Sequence, residues 1–153
     1  TVNVISSVLE SSVYEVRSTE NNPKIIIGAN PETTIAEFKA NLDNPIEYIK
    51  IYDLDDNLLS DDDIVKTGLI IKLEFNGLVL DYATMLVRGD VDGDGYVNIS
   101  DYIMVANHAL GTEEMDDYLM ITAGDVEEDG ILNIADYIKI MDYALGNSDN
   151  LNN

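Results

Sequence analysis

Asp90-Val91-Asp92-Gly93-Asp94-Gly95-Tyr96-Val97-Asn98-Ile99-Ser100-Asp101 is the stretch that decides how the rest of the chain is read. Oxygen-bearing side chains stand at positions 1, 3, 5, 9 and 12 of these twelve residues, with glycine at 6. Thirty-five residues later the same spacing returns as Asp125-Val126-Glu127-Glu128-Asp129-Gly130-Ile131-Leu132-Asn133-Ile134-Ala135-Asp136. Such spacing suits a hard cation that takes about six to eight oxygens in flexible geometry, which is calcium. One D-x-D-x-D-G would be a moderate signal. Two aligned copies, each followed by a similar apolar helix pattern, make a strong one.

The spacing is that of an EF-hand-type loop, and two Ca2+ ions are expected. In the first loop Asp90, Asp92, Asp94 and Asp101 supply carboxylates, Tyr96 its backbone carbonyl, and Asn98 a contact through water. Gly95 permits the sharp reversal. In the second, the ligands are Asp125, Glu127, Asp129, the Ile131 carbonyl, Asn133 and Asp136. Glu127 at position 3 is one methylene longer than Asp. It either shifts the ion or leans out and admits water, and both outcomes predict a weaker second site. Carboxylates converging without a cation repel one another, so calcium binding and folding are expected to be linked.

Charge is spread unevenly. Residues 1–89 hold 15 acids and 7 bases, and residues 90–153 hold 15 acids and the single base Lys139, within a total of −22. A surface that acidic is not expected to bind nucleic acid or an anionic membrane, and there is no long apolar run for membrane insertion. Apolar residues make up 46% of the chain, enough for a folded core. The absence of cysteine excludes a disulfide framework and a thiol nucleophile. The chain opens on Thr1 rather than Met, which suggests a piece of a longer protein, with any export signal upstream.

Residues 1–12 read as a linker with a short edge strand. Val13–Val16 and Lys24–Gly28 read as a hairpin around a polar turn. Thr33 or Thr34 caps a helix reaching Leu42, with Glu37 at the capping-box spacing from Thr34 and with Ile35, Phe38 and Leu42 on one face. Strands follow at Ile46–Tyr52, Leu69–Phe75 and Leu78–Val87, the last two joined by Asn76-Gly77, a strong hairpin signal. The predicted class is α+β. A beta-grasp-like mixed sheet with one helix, residues 13–88, precedes an all-α unit, residues 89–148, and a polar tail, residues 149–153. An immunoglobulin-like sandwich is disfavoured by the central helix.

In the second unit Ile99, Tyr102, Ile103, Ala106 and Leu110 share a helix face that stops at Gly111. Ile134, Tyr137, Ile138, Met141 and Leu145 repeat it before Gly146. Thr112 is expected to cap a connecting helix with Glu113 and Glu114 in its first turn and with Met115, Leu119 and Thr122 inward. Nothing helical precedes the first loop, and position 12 is Asp in both copies. Both features argue against a calmodulin-type sensor, which needs an entering helix as well.

DVDGDGYVNISDYIMVANHALG set against DVEEDGILNIADYIKIMDYALG resembles a type I dockerin over about residues 88–150. Residues 1–89 are similar, more loosely, to the small X modules that precede dockerins. The resemblance implies a non-catalytic, calcium-dependent assembly module. Its partner would be a scaffoldin cohesin, and it would anchor a secreted, polysaccharide-degrading enzyme or other upstream module in a cellulosome-like complex at the cell surface. The family's recognition positions fall here on Ile99-Ser100 and Ile134-Ala135, then on Ala106-Asn107 and Met141-Asp142, along the face that carries Ile103, Leu110 and Ile138. Many members have Ser-Thr at the first pair and Lys-Arg at the second. Neither is present, which implies a more hydrophobic cohesin specificity. Partial symmetry between the copies leaves open the two-orientation binding known for some dockerins.

Plainer readings stand beside these. Ile99 and Ile134 could be core residues at helix starts. The loops could serve a stand-alone calcium-binding module. The nine tyrosines, without tryptophan, could belong to a carbohydrate-binding surface, though periodic placement favours core or interface. Asp53-Leu54-Asp55-Asp56-Asn57 opens like a third loop, but Leu58 and Ile64 stand at its positions 6 and 12, so it reads as a turn. Asp61–Asp63 reads as a solvated turn or helix start. His108 has no partner for a catalytic dyad, and no enzyme constellation can be assembled.

Overall fold

The computed structural model describes residues 6–18 and 20–152. Residues 1–5 of the expected linker, and Asn153, lie outside the described residues. The apolar run after Pro23 forms β2 (Ile25–Ile27), with all three isoleucines buried. Successive strand side chains point to opposite faces, so a strand buried throughout has both faces covered. β1 (Glu15–Arg17) pairs antiparallel with it. Then α1 (Ile35–Ala40) begins with the predicted capping box. Thr34 Oγ1 accepts the Glu37 N–H at 3.2 Å, and the Glu37 carboxylate accepts the Thr34 N–H at 3.2 Å.

The strand expected over Ile46–Tyr52 is shorter. Ile46–Tyr48 forms a turn of 3-10 helix, and β3 spans Ile49–Tyr52. Pro45, with φ −58°, sits at the turn's start and accepts the Tyr48 N–H at 3.1 Å, so the chain tightens before it can extend. β4 (Ile70–Phe75) and β5 (Leu78–Leu86) flank Asn76-Gly77, whose φ values of 52° and 79° are the positive angles such a tight turn requires. The sheet order is β1-β2-β5-β4-β3, antiparallel except for β2 beside β5. The fold is α+β, a mixed five-stranded sheet followed by helices.

One face of the sheet packs on α1 through Ile26, Ile35, Phe38, Ile51, Ile71 and Met85. Leu9 joins this core and its N–H bonds the Asp81 carboxylate at 2.8 Å, so the stretch read as a linker is docked. The other face, Ile25, Ile27 and Leu86, packs on Ala123, Tyr118 and Leu119 of α3 (Tyr118–Gly124). Burying one such aliphatic side chain is worth about 1.5–3 kcal/mol. An exposed ion pair contributes about 0–1 kcal/mol. Apolar contact therefore sets how the helical unit sits on the sheet.

α2 (Ile99–Ala109) and α4 (Ile134–Ala144) repeat one another closely. Their caps, Asn98 and Asn133, share dihedrals within a few degrees (φ −145°, ψ −166° and φ −144°, ψ −169°). Tyr102 and Tyr137 meet edge-to-face across the pair at 5.7 Å, above a core that includes Val105 and Ile140. The connecting helix starts later than Thr112. Asp117 caps it by accepting the Leu119 and Met120 N–H groups, while the Thr112 hydroxyl donates to the Asn107 carbonyl and closes α2. The tail also departs from expectation. Leu151 is buried in the helical core, and Asn152 bonds Arg88 and Asn30. Among the described residues no helix is long and apolar enough to cross a membrane.

Candidate metal centres and partner face

β5 leads into the first loop with almost no slack. Gly89, at φ 88°, turns the chain, donates its N–H to the Ala123 carbonyl at 2.8 Å, and has Leu151 where a Cβ would stand. Asp90 follows, fully buried. Its Oδ2 accepts N–H bonds from Thr67 at 2.9 Å and Gly95 at 3.1 Å. Its Oδ1 is buried with no hydrogen-bond partner. Asp101, also fully buried, accepts from Val91, Asp92 and Asn98 N–H groups at 2.8, 3.1 and 2.9 Å. Carboxylate oxygens of Asp90, Asp92 and Asp101 lie within 4.8 Å of one another. Asp94 stands at the rim, accepting the Tyr96 N–H. Asn98 Oδ1 is engaged as the helix cap, accepting the Ser100 N–H at 2.9 Å.

The second loop copies this frame in a more open setting. Asp125, Asp129 and Asp136 converge within 4.8 Å. Asp136 accepts from the Glu127 and Asn133 N–H groups, each at 3.0 Å. Glu127 leans out, its Oε1 3.3 Å from Lys139 Nζ, so position 5 rather than position 3 completes the trio. The Ile131 carbonyl accepts a long 3.4 Å bond from the Asn133 side chain.

Two observations test whether a cation fits. The donors are all hard oxygens, which suits calcium rather than a softer metal. A buried carboxylate oxygen without a partner is costly, and Asp90 Oδ1 is one, on a carboxylate that belongs to the trio of the first loop. Burial pushes Asp90 up to about 6, aided by Asp92 and Asp94 and opposed by the Thr67 and Gly95 amides. Burial likewise pushes Asp101 up to about 7 and raises Asp136. The usual Asp value is 3.8.

A pH dependence follows. Without calcium the folded protein holds more protons than the unfolded chain between about pH 4 and 7, so its stability falls as pH rises through that window. A calcium ion held by these carboxylates would require them ionised, so its affinity would rise over the same window. Melting temperatures in EDTA and in calcium are expected to move in opposite directions across it. Parallel shifts would contradict this account.

The side chains expected to meet a partner lie on the surface. Ile99 and Ile134 are 58% and 54% exposed, and Ile103, Leu110 and Ile138 are exposed as well, as is Leu145, the counterpart of Leu110 in the second copy. Core packing of Ile99 and Ile134 is thereby set aside. Ser100 is exposed, its hydroxyl donating to Asp92 Oδ2 at 2.9 Å, while Ala135, Ala106, Asn107, Met141 and Asp142 are half-buried. His108 Nδ1 accepts the Met115 N–H at 2.9 Å and pins the turn after α2.

Sequence reading missed the groups that seat the loops. Glu128, at φ 57°, accepts hydrogen bonds from Arg88 Nη2 and, at 3.2 Å, from Arg17 Nη2. Burial alone would raise Glu128, but the bonds and charges of both arginines outweigh it and hold the carboxyl below its usual range. Arg88 also donates to Asn152 at 2.7 Å. A lone arginine directly before an acidic loop was the signal available.

The geometry defines a sheet unit carrying two loop–helix carboxylate sites with an aliphatic face beside them. Residues 88–145 match the family model described as the dockerin type I domain. Dockerin domains are non-catalytic and assemble, with calcium, onto cohesin modules. No curated protein matches the chain.

Proposed function

We propose that this chain is a calcium-dependent docking module for a scaffoldin cohesin, attaching a secreted upstream module to a cellulosome-like assembly. Asp90, Asp92, Asp94, Asp101, the Tyr96 carbonyl and Asn98 through water would hold one ion. Asp125, Asp129, Asp136, the Ile131 carbonyl and Asn133 would hold the second, with Glu127 standing off. When bound, calcium neutralises the converging carboxylates. Asp101 and Asp136 sit in the first turns of α2 and α4, so ordering each loop orders the helix that leaves it. The observation that carries the reading is the duplicated exposure of Ile99/Ile103/Leu110 and Ile134/Ile138/Leu145 beside the two carboxylate trios. Large aliphatics on so acidic a unit suit an apolar patch on a partner protein. The sheet unit serves as an X-like spacer and support.

Calorimetric calcium titration of the chain is expected to give two ions per molecule, with helical circular dichroism falling in EDTA. A single ion, or a helical signal indifferent to EDTA, would contradict the reading.

A further inference from the structure

The duplication supplies an internal control. At position 4 both loops adopt a positive φ, Gly93 at 77° and Glu128 at 57°, so the loop conformation itself accepts a side chain there. A Cβ on Gly93, however, would stand 2.9 Å from the Thr67 carbonyl oxygen. Position 6 shows the same asymmetry. A Cβ on Gly95 would meet Ile64 Cδ1 at 2.8 Å and Lys66 Cγ at 3.1 Å, whereas one on Gly130 meets nothing within 4 Å. Residues 64–67 of the sheet unit therefore fill a side of the first loop that is open in the second.

From this seat Thr67 donates its N–H to Asp90 Oδ2. Thr67 is itself held at the exit of β5, its hydroxyl donating to the Val87 carbonyl at 3.2 Å and accepting the Val87 N–H at 3.1 Å. The equivalent carboxylate, Asp125, accepts N–H bonds from Asp129 and Gly130 within its own loop.

We infer that Thr67 is a positioning residue of the first calcium site, the sheet unit fixing Asp90 Oδ2 so that the unpartnered Oδ1 faces the cation. The inference rests on the calcium reading above. Two amide donors set the carboxylate's rotamer before the ion arrives, so less ordering remains to be done on binding. Among the described residues the second loop has no such brace at position 1. The sheet unit thus reaches the first site at its position-1 carboxylate, through Thr67, and the second loop only at position 4, through Arg17 and Arg88 on Glu128.

The test is a calcium titration of the full chain followed by NMR at the Gly95 and Gly130 amides, each bonded to the first Asp of its own loop. Thr67→Val keeps the side-chain shape but removes the hydroxyl that anchors the segment. It is expected to weaken calcium binding reported by Gly95 about tenfold or more, the scale of one charge-assisted hydrogen bond, and to leave Gly130 unchanged. Thr67→Ser restores the hydroxyl and is expected to restore the first site. Should Thr67→Val unfold the sheet, Gly93→Ala tests the same contact from the loop side, with the same loss at Gly95 alone expected. Equal weakening at both amides, or at neither, overturns the inference. Two amides that ignore calcium in the unaltered chain would overturn the calcium reading as well.

Discussion

Asp90→Ala is expected to abolish calcium binding at the first loop, and with it both the cooperative unfolding of residues 90–150 and capture by a cohesin. Asp90 is the most committed group in either loop, fully buried, with one oxygen tied to Thr67 and Gly95 and the other unpartnered. Without calcium its buried charge is a liability, so alanine costs the calcium-free protein little. In the proposed calcium-bound state it would be the ligand that joins the loop to the sheet exit. At calcium one hundredfold above the dissociation constant, one site contributes about 2.7 kcal/mol of stability. That is a large fraction of what a unit this small can hold in reserve. Calorimetric melts in calcium and in EDTA should separate for the unaltered chain and nearly coincide for the variant. A variant that keeps its full calcium-induced rise contradicts the assignment.

Ile99→Asp combined with Ile134→Asp is expected to weaken cohesin binding by about thirtyfold or more, the scale of losing central apolar anchors, while calcium affinity is undiminished. Both side chains stand at the first position of their helices and are more than half exposed, so no core contact is lost. A carboxylate at a helix N-terminus is tolerated by the helix dipole. If the two copies serve two binding orientations, either single variant leaves one orientation intact, and only the pair shows the full loss. Titration of a cohesin onto each variant, beside a calcium titration, reads both quantities. Reduced calcium affinity without reduced binding would show that these isoleucines support the loops and not a partner.

The parts legible in the sequence are those whose causes are local. The Thr34–Glu37 box, the Asn76-Gly77 turn and the carboxylate trios each arise within a dozen residues, and all three are present. The sequence left Glu127 with two choices, and Lys139, one turn into α4, decides between them. What was illegible depends on competition between near neighbours or on residues far apart. Thr112 has the chemistry of an N-cap, but the Asn107 carbonyl captures its hydroxyl and Asp117 takes the role. Leu9 and Leu151, set in polar ends of the chain, are drawn into cores that the flanking residues do not reveal. Thr67 lies twenty-three residues before Asp90 with no motif of its own. The difference between Gly93 and Glu128 was visible all along, but the segment that explains it has to be placed first.

The most direct test of the central claim is capture of the chain by immobilised cohesin modules in calcium and in EDTA, with the double variant Ile99→Asp/Ile134→Asp run alongside. Calcium-dependent capture of the unaltered chain is expected, with loss of capture in EDTA and loss in calcium for the variant. Capture that persists in EDTA, or that is undiminished in the variant, would contradict that claim.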